Sequence, residues 1–100
     1  MSSPGLGELI EEVGSLTLLL SLLSALRETR EESLRAREPL RPLNLGYQIL
    51  AVLEEIKTTA RRFEALRRVH LGVECRDWDV ERVLALLEAQ VRASLATPFD

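Results

Sequence analysis

The chain has 100 residues and a net charge of −3, with acidic and basic side chains interspersed along it. This length makes one domain with a modest core, and the mixed charge gives no overall field that would attract nucleic acid or anionic lipid. Leucine supplies 21 residues and aromatic side chains only four, while β-branched residues never alternate with polar ones over the length of a strand. We therefore expect a single all-helical domain.

The first predicted helix covers residues 8–37, after a Ser-, Pro- and Gly-rich N-terminal segment at 1–7. Pro39 and Pro42 end it, because proline cannot continue the helical hydrogen-bond ladder. This helix contains the uncharged run LTLLLSLLSAL at residues 16–26. The run is about half as long as the ~20 apolar residues that a membrane-spanning helix needs, and charged residues bound it on both sides. We therefore expect no membrane span, and protein must cover the leucines.

Two further helices follow. One is predicted over residues 44–71, with Asn44 as its N-cap and Gly72 as its C-terminal stop. The other is predicted over residues 78–96, with Asp77 as its cap. Each carries one apolar stripe at spacings of three and four residues. Short connections place successive helices antiparallel, so the sequence predicts a three-helix antiparallel bundle or a long helical hairpin with a third helix, oligomeric or bound to a partner.

The first helix differs from the other two because it has two apolar stripes. At about 100° per residue, one stripe faces the core, the other lies nearly opposite, and a seam of small residues separates them. The first stripe is Leu9, Val13, Leu16, Leu20 and Leu23; the second is Leu18, Leu19, Leu22, Ala25 and Leu26; the seam is Gly14, Thr17, Ser21 and Ser24.

Two interpretations of the second stripe stay open at this point. In one, the second and third helices lie on either side of the first helix and cover both stripes. In the other, the second stripe stays uncovered and binds another protein or a second copy of the chain, since monomers rarely expose large contiguous apolar areas. We favour the second interpretation, because the other helices offer only one stripe each. The predicted partner-binding residues are Leu18, Leu19, Leu22 and Leu26.

The predicted internal core draws on all three helices, at the positions that their apolar stripes share. Its members are Leu16, Leu20, Leu23, Ile49, Leu53, Ile56, Phe63, Val80, Leu84, Leu87 and Val91.

No residue pattern indicates catalysis, a metal site or a cofactor. His70 is the single histidine, near the end of the second helix, where a packed ring or a cation favoured by the helix dipole is expected. Cys75 is the single cysteine, which excludes an internal disulfide and a cysteine-based zinc site. Trp78 is expected to pack at the start of the third helix. We therefore expect a non-enzymatic, intracellular protein that needs no cofactor.

A basic segment, KTTARRFEALRR at residues 57–68, gives the alternative function. Its cations are a solvated helix face, a rim that meets acidic residues of a partner, or a surface for nucleic acid. Glu64 interrupts the segment, and nucleic-acid surfaces are usually broader and lie on clearly basic domains. The sequence therefore favours a small helical subunit or adaptor of an intracellular complex, with a small nucleic-acid-binding regulator as the alternative. The cations are Lys57, Arg61, Arg62, Arg67 and Arg68.

Overall fold

Three helices make up almost all of the part of the chain that the structure, a computed structural model, describes. It describes residues 4–71 and 79–96, with side chains for 7–69 and 79–96. The helices are α1 (Pro4–Arg35), α2 (Arg41–Leu71) and α3 (Val80–Ala96), and the described residues contain no strand. This confirms the all-helical class and the three predicted helices. The molecule is elongated, with extents of 55 × 27 × 14 Å.

A tight connection of residues 36–40 turns the chain from α1 into α2. Arg37 adopts the left-handed conformation, with φ of 57°. Its N–H donates to the carbonyl of Leu34 (3.0 Å), and the N–H of Glu38 donates to the carbonyl of Ser33 (3.1 Å). This pair of hydrogen bonds is the Schellman arrangement, which satisfies the last carbonyls of a helix. The connection is short enough to place α1 and α2 side by side and antiparallel.

The start of α2 differs from the prediction, since the helix begins at Arg41 and Asn44 lies inside its first turn. Asn44 is a helical residue whose own N–H donates to the carbonyl of Leu40 (3.1 Å). The prediction that Asn44 is the N-cap is therefore wrong. The reason is that Pro42 is tolerated within the first turn, where its missing N–H would have no helical acceptor.

The N-terminus of α3 is capped by Asp79, whose Oδ1 accepts from the N–H groups of Glu81 (3.1 Å) and Arg82 (3.3 Å). A carboxylate at this position satisfies two backbone donors that have no partner inside the helix. The predicted cap Asp77 and the predicted stop Gly72 lie outside the described residues.

The core is centred on α2. Ile49, Leu53 and Ile56 are almost completely buried, and they join Leu23 of α1 and two buried residues of α3, Leu84 and Val91. Helix α2 packs on both other helices, whereas α1 and α3 have no close backbone approach among the described residues. The arrangement in which α1 lies between the other two helices is therefore not the one found.

Helix α1 meets the core along one narrow seam, and we call this line of residues the inner seam. Its residues are buried or half-buried, and they recur at alternating spacings of three and four, which is the 3.5-residue period of two helices packed side by side. The inner seam consists of Leu9, Glu12, Leu16, Leu19, Leu23, Leu26, Arg30 and Ser33.

This seam corrects the two-stripe prediction for α1. Leu20, predicted in the core, is 47% exposed. Leu19 and Leu26, predicted on the partner-binding stripe, pack against the core cluster. The physical reason is that the predicted stripe also alternates spacings of four and three, so it differs from the inner seam by a rotation of the helix about its axis. Leucines occupy positions that fit either rotation, and the structure turns Leu19 and Leu26 toward the core while Val13 and Leu20 stay about half exposed.

The remaining residues that were predicted in the core are either buried or partly buried. Ile49, Leu53, Ile56, Leu84 and Val91 are confirmed as buried, as is Leu23. Leu16, Val80 and Leu87 are partly buried against the same cluster, and Phe63 is half-buried.

Candidate interaction surface

The side of α1 that faces away from α2 is a continuous uncharged surface, which we call the outer face. Ten of the thirteen residues from 13 to 25 are exposed, and none of them carries a charge. At a rise of 1.5 Å per residue, the surface is about 20 Å long. It consists of Val13, Gly14, Ser15, Thr17, Leu18, Leu20, Ser21, Leu22, Ser24 and Ala25.

Thr17 and Gly14 of the outer face show no contact that ties them to another described helix. The Oγ1 of Thr17 donates to the carbonyl of Val13 (2.9 Å), so this hydroxyl is satisfied within the helix. A methyl group built at Gly14 would meet no atom within 4 Å. Within the described residues, then, no packing neighbour requires a small side chain at this position.

The four predicted partner-binding leucines fall into two pairs. Leu18 is 73% exposed and Leu22 is 46% exposed, so both belong to the outer face. Leu19 and Leu26 are partly buried against the core cluster and belong to the inner seam. Of the predicted set, Leu18 and Leu22 are therefore the pair that is open to a second molecule.

Acidic side chains bracket the outer face at both ends. Glu8 and Glu11 precede it, and Glu28 and Glu32 follow it; all four are exposed and form no ion pair with any described residue. The neighbouring Glu31 does have a partner, because Arg35 lies 3.8 Å away from it. Each end of the outer face therefore carries two exposed carboxylates that have no ion-pair partner among the described residues, while the half-buried Arg27 lies beside Glu28.

The five cations of the basic segment are all held by carboxylates. Lys57 Nζ lies 2.6 Å from Glu88 and 3.2 Å from Glu54, and Arg61 makes two hydrogen bonds to Glu81 (2.8 and 3.0 Å). Arg62 lies 3.3 Å from Glu12 of α1. Arg67 and Arg68 both bind Glu64, at 2.6 and 3.0 Å, so this buried carboxylate is surrounded by cations and does not merely interrupt them.

These ion pairs shift the pKa values of the side chains that join α2 to α3. Hydrogen bonding to Glu88 raises the pKa of Lys57, and hydrogen bonding to Glu81 raises the pKa of Arg61. In return, Arg61 lowers the pKa of Glu81, while Lys57 and then Arg92 lower the pKa of Glu88. Lys57 and Arg61 thus join α2 to α3, and each of the five cations of the basic segment has a carboxylate partner.

Two charged residues of the inner seam, Glu12 and Arg30, were not predicted from the sequence. Arg30 donates to the carbonyls of Ser94 (3.4 Å) and Leu95 (3.3 Å) in the last turn of α3, where a cation is favoured by the helix dipole. Glu12 binds Arg62 of α2. Both lie at inner-seam positions where an apolar residue is usual. Extending the 3.5-residue spacing on both sides of the leucine run would have predicted that these two positions face the other helices.

An open cleft lies where the hairpin extends past the end of α3. Leu34, Leu43, Tyr47 and Leu50 line one side and Leu95 the other, with arginine and glutamate side chains around the rim. Arg37 and Glu38 of the connection also line it. The described residues contain no group of His, Cys, Asp and Glu that could hold a metal ion.

Three residues weighed in the sequence analysis fall outside this description. Cys75 and Trp78 lie outside the described residues, as does the side chain of His70. Their predicted roles stay predictions.

By length and composition alone, α1 could cross a membrane, since its segment Gly7–Arg35 is long and apolar enough. Core helices of soluble proteins and signal sequences pass the same test. The packing of α2 on α1 bears on this point. Arg62 of α2 pairs with Glu12 of α1 at one end of the hairpin, and the connection joins the two helices at the other end. Because the helices are antiparallel, the middle of the leucine run lies opposite the part of α2 that contains Glu54 and Glu55. Inserting the hairpin as it is folded would bring these exposed carboxylates into hydrocarbon, at high cost.

The comparisons with known proteins identify no relative. No protein-family model matches the chain, and no match of significance was found among curated proteins or solved structures.

Proposed function

We propose that this protein is a non-enzymatic, protein-binding helical module, a small subunit or adaptor of an intracellular complex, and that it binds its partner through the outer face of α1. The observation that carries this proposal is the exposure of Leu18 and Leu22 in the centre of an uncharged surface about 20 Å long. Contiguous exposed apolar surface of this kind marks interaction sites more often than chance placement of single leucines.

The small amount of apolar material inside the chain supports the same proposal. Only Ile49, Leu53, Ile56 and Val91 are almost completely buried among the large described side chains. Small domains gain limited stability from one modest core. Fully burying an exposed leucine contributes about 1.5–3 kcal/mol, so covering Leu18 would contribute most of that amount and covering the half-exposed Leu22 about half of it.

The alternative, a nucleic-acid-binding regulator, receives no favouring observation from the described residues. Its cations pair with Glu12, Glu64, Glu81, Glu88 and Glu54. Binding phosphates would require breaking those pairs.

The experiment compares three tagged full-length variants with the wild type, by recovery of associated proteins from the cells in which the chain is made. Leu18→Glu and Leu22→Glu place a charge on the outer face, where a dry interface would remove its hydration without supplying a counter-charge. Val69→Glu is the matched control, because Val69 is exposed to 77%, as Leu18 is to 73%, but lies on α2.

The proposal expects the same associated protein with the wild type and with Val69→Glu, and its loss with both outer-face variants while their circular dichroism stays helical. Recovery of that protein with Leu18→Glu and Leu22→Glu at wild-type level would contradict the proposal. Binding of duplex or single-stranded nucleic acid that weakens steeply with salt would favour the alternative.

A further inference from the structure

We infer that the outer face binds a helix of a different protein whose own apolar face is bracketed by basic residues at both ends, and that it does not bind a second copy of this chain. This inference rests on the proposed function and names the chemistry of the partner. It depends on how charged and uncharged residues alternate along the outer side of α1.

The outer side of α1 carries a second line of residues with the period of a packed helix pair, which we call the outer seam. Each member lies two positions after a member of the inner seam, and so about 200° around the helix from it. The spacing again alternates between three and four, as a helix packed alongside requires. The outer seam consists of Glu11, Gly14, Leu18, Ser21, Ala25, Glu28 and Glu32. The next position of the same period is Arg35, which pairs with Glu31.

The ends of the outer seam are acidic and its middle is uncharged. The outer-seam positions between Glu11 and Glu28 are occupied by Leu18 and by small residues only. Small side chains allow the backbone of a second helix to approach closely. The two glutamates are seventeen positions apart, about 26 Å along the helix at a rise of 1.5 Å per residue. A complementary helix therefore needs about four turns without charge and a positive charge beyond each end.

The cations of α1 do not neutralise these carboxylates. Arg30 is directed to the last turn of α3, and Arg35 pairs with Glu31. Arg27 is half-buried beside the inner seam. The negative charge at both ends of the outer seam is thus left for a partner to pair.

A second copy of the chain is the wrong partner for this pattern in either orientation. Parallel packing of two outer seams places Glu11 opposite Glu11 and Glu28 opposite Glu28. Antiparallel packing centred on the uncharged middle places Glu11 opposite Glu28. Like charges that face each other oppose association, and such juxtaposition is a common means of rejecting a wrong partner.

An anionic membrane surface is also disfavoured by this charge. Helices that lie on membranes carry Lys and Arg around their apolar face, whereas the outer face is bracketed by Glu11 and Glu28. A protein helix with basic ends matches the apolar middle and both acidic ends at once. A surface one helix wide is smaller than a standard interface of about 800 Å² per partner, so we expect micromolar affinity.

The test uses the full-length chain and two synthetic helical peptides of about six turns. Both peptides carry the same central face of leucine and alanine; one has lysines at both ends and the other has glutamates there. Fluorescence anisotropy measures each dissociation constant at low and at high salt. We expect the lysine-ended peptide to bind at least about ten times more tightly at low salt, with the ratio shrinking as salt screens the charges.

Variants separate the charge pattern from the apolar face. The double variant Glu11→Lys, Glu28→Lys should reverse the preference between the two peptides. Leu18→Glu should lose binding of the lysine-ended peptide, whereas Val69→Glu should retain it. Sedimentation of the wild type should show a monomer at protein concentrations of about 10–100 μM. A dimer with a micromolar dissociation constant would be populated at these concentrations.

Three outcomes would overturn the inference. Equal binding of both peptides, lost in Leu18→Glu, would keep the outer face as a protein-binding site and reject its preference for basic ends. A wild-type dimer that Leu18→Glu dissociates would identify a second copy as the occupant. Binding to neither peptide, together with Leu18-dependent binding to vesicles of phosphatidylcholine and phosphatidylserine, would identify a membrane surface and also reject the proposed function.

Discussion

The two sides of α1 show how differently leucines of one helix can be used. Leu23, on the inner seam, is 3% exposed and packs against the centre of α2. Leu22, its neighbour in sequence, is 46% exposed. The same residue type thus stabilises the fold at one position and stays open at the next, because a step of about 100° around the helix carries it from α2 to solvent. The residue type does not distinguish the two positions. The difference in burial depends on which side of α1 faces α2.

The largest expected effect concerns the buried side of this comparison. Ile56→Ala should lower the free energy of unfolding by about 2–5 kcal/mol, the usual cost of a large-to-small change at a buried site. Ile56 is 2% exposed and belongs to the core cluster. Leu18→Ala on the outer face is the control and should change it by no more than about 0.5 kcal/mol. Urea denaturation measures both, and a loss below about 0.5 kcal/mol for Ile56→Ala would contradict the described core.

A smaller effect is expected where the inner seam becomes polar. Arg30→Met removes the hydrogen bonds to the carbonyls of Ser94 and Leu95 but keeps most of the side-chain volume. We expect a loss of about 1 kcal/mol in unfolding free energy, and faster hydrogen exchange in the last turn of α3. Arg35→Met, which removes only an exposed pair with Glu31, should have almost no effect. Equal effects of the two changes would mean that Arg30 does not hold α3.

The contacts between α2 and α3 should depend on pH. The pKa values of Glu81 and Glu88 are lowered in the folded state by Arg61 and Lys57 respectively. Their contribution to stability is therefore present above the ordinary glutamate range and is lost as the pH falls through the lowered values. The unfolding free energy of the wild type should decrease as the pH falls from about 6 to about 3. The unfolding free energy of the double variant Glu81→Gln, Glu88→Gln should depend less steeply on pH over the same range. Identical profiles for the wild type and this double variant would contradict these ion pairs.

The sequence predicted the three helices because their boundaries depend on local signals. Pro39 lies between α1 and α2, and the apolar period of each helix is sustained over several turns. The N-cap at Asn44 failed because proline can end one helix or lie in the first turn of the next, and the local sequence permits both.

The candidate surface was only half predicted, for a reason that lies outside local sequence. Leu18 and Leu22 were placed correctly on an uncovered side, but Leu19, Leu20 and Leu26 were assigned to the wrong sides. With leucine at seven of eleven consecutive positions, the run itself fits several rotations of the helix about its axis. The packing of α2 against α1 selects one of these rotations, and the run alone does not specify it.

The most direct test of the account compares Leu22→Glu with Leu23→Glu in the isolated full-length chain. Circular dichroism and urea denaturation at low protein concentration exclude stability gained from association. We predict that Leu22→Glu keeps its helicity and a urea midpoint close to that of the wild type, whereas Leu23→Glu unfolds because its charge is buried without a partner. Unfolding of both variants would contradict the claim that the outer face of α1 is dispensable for the fold.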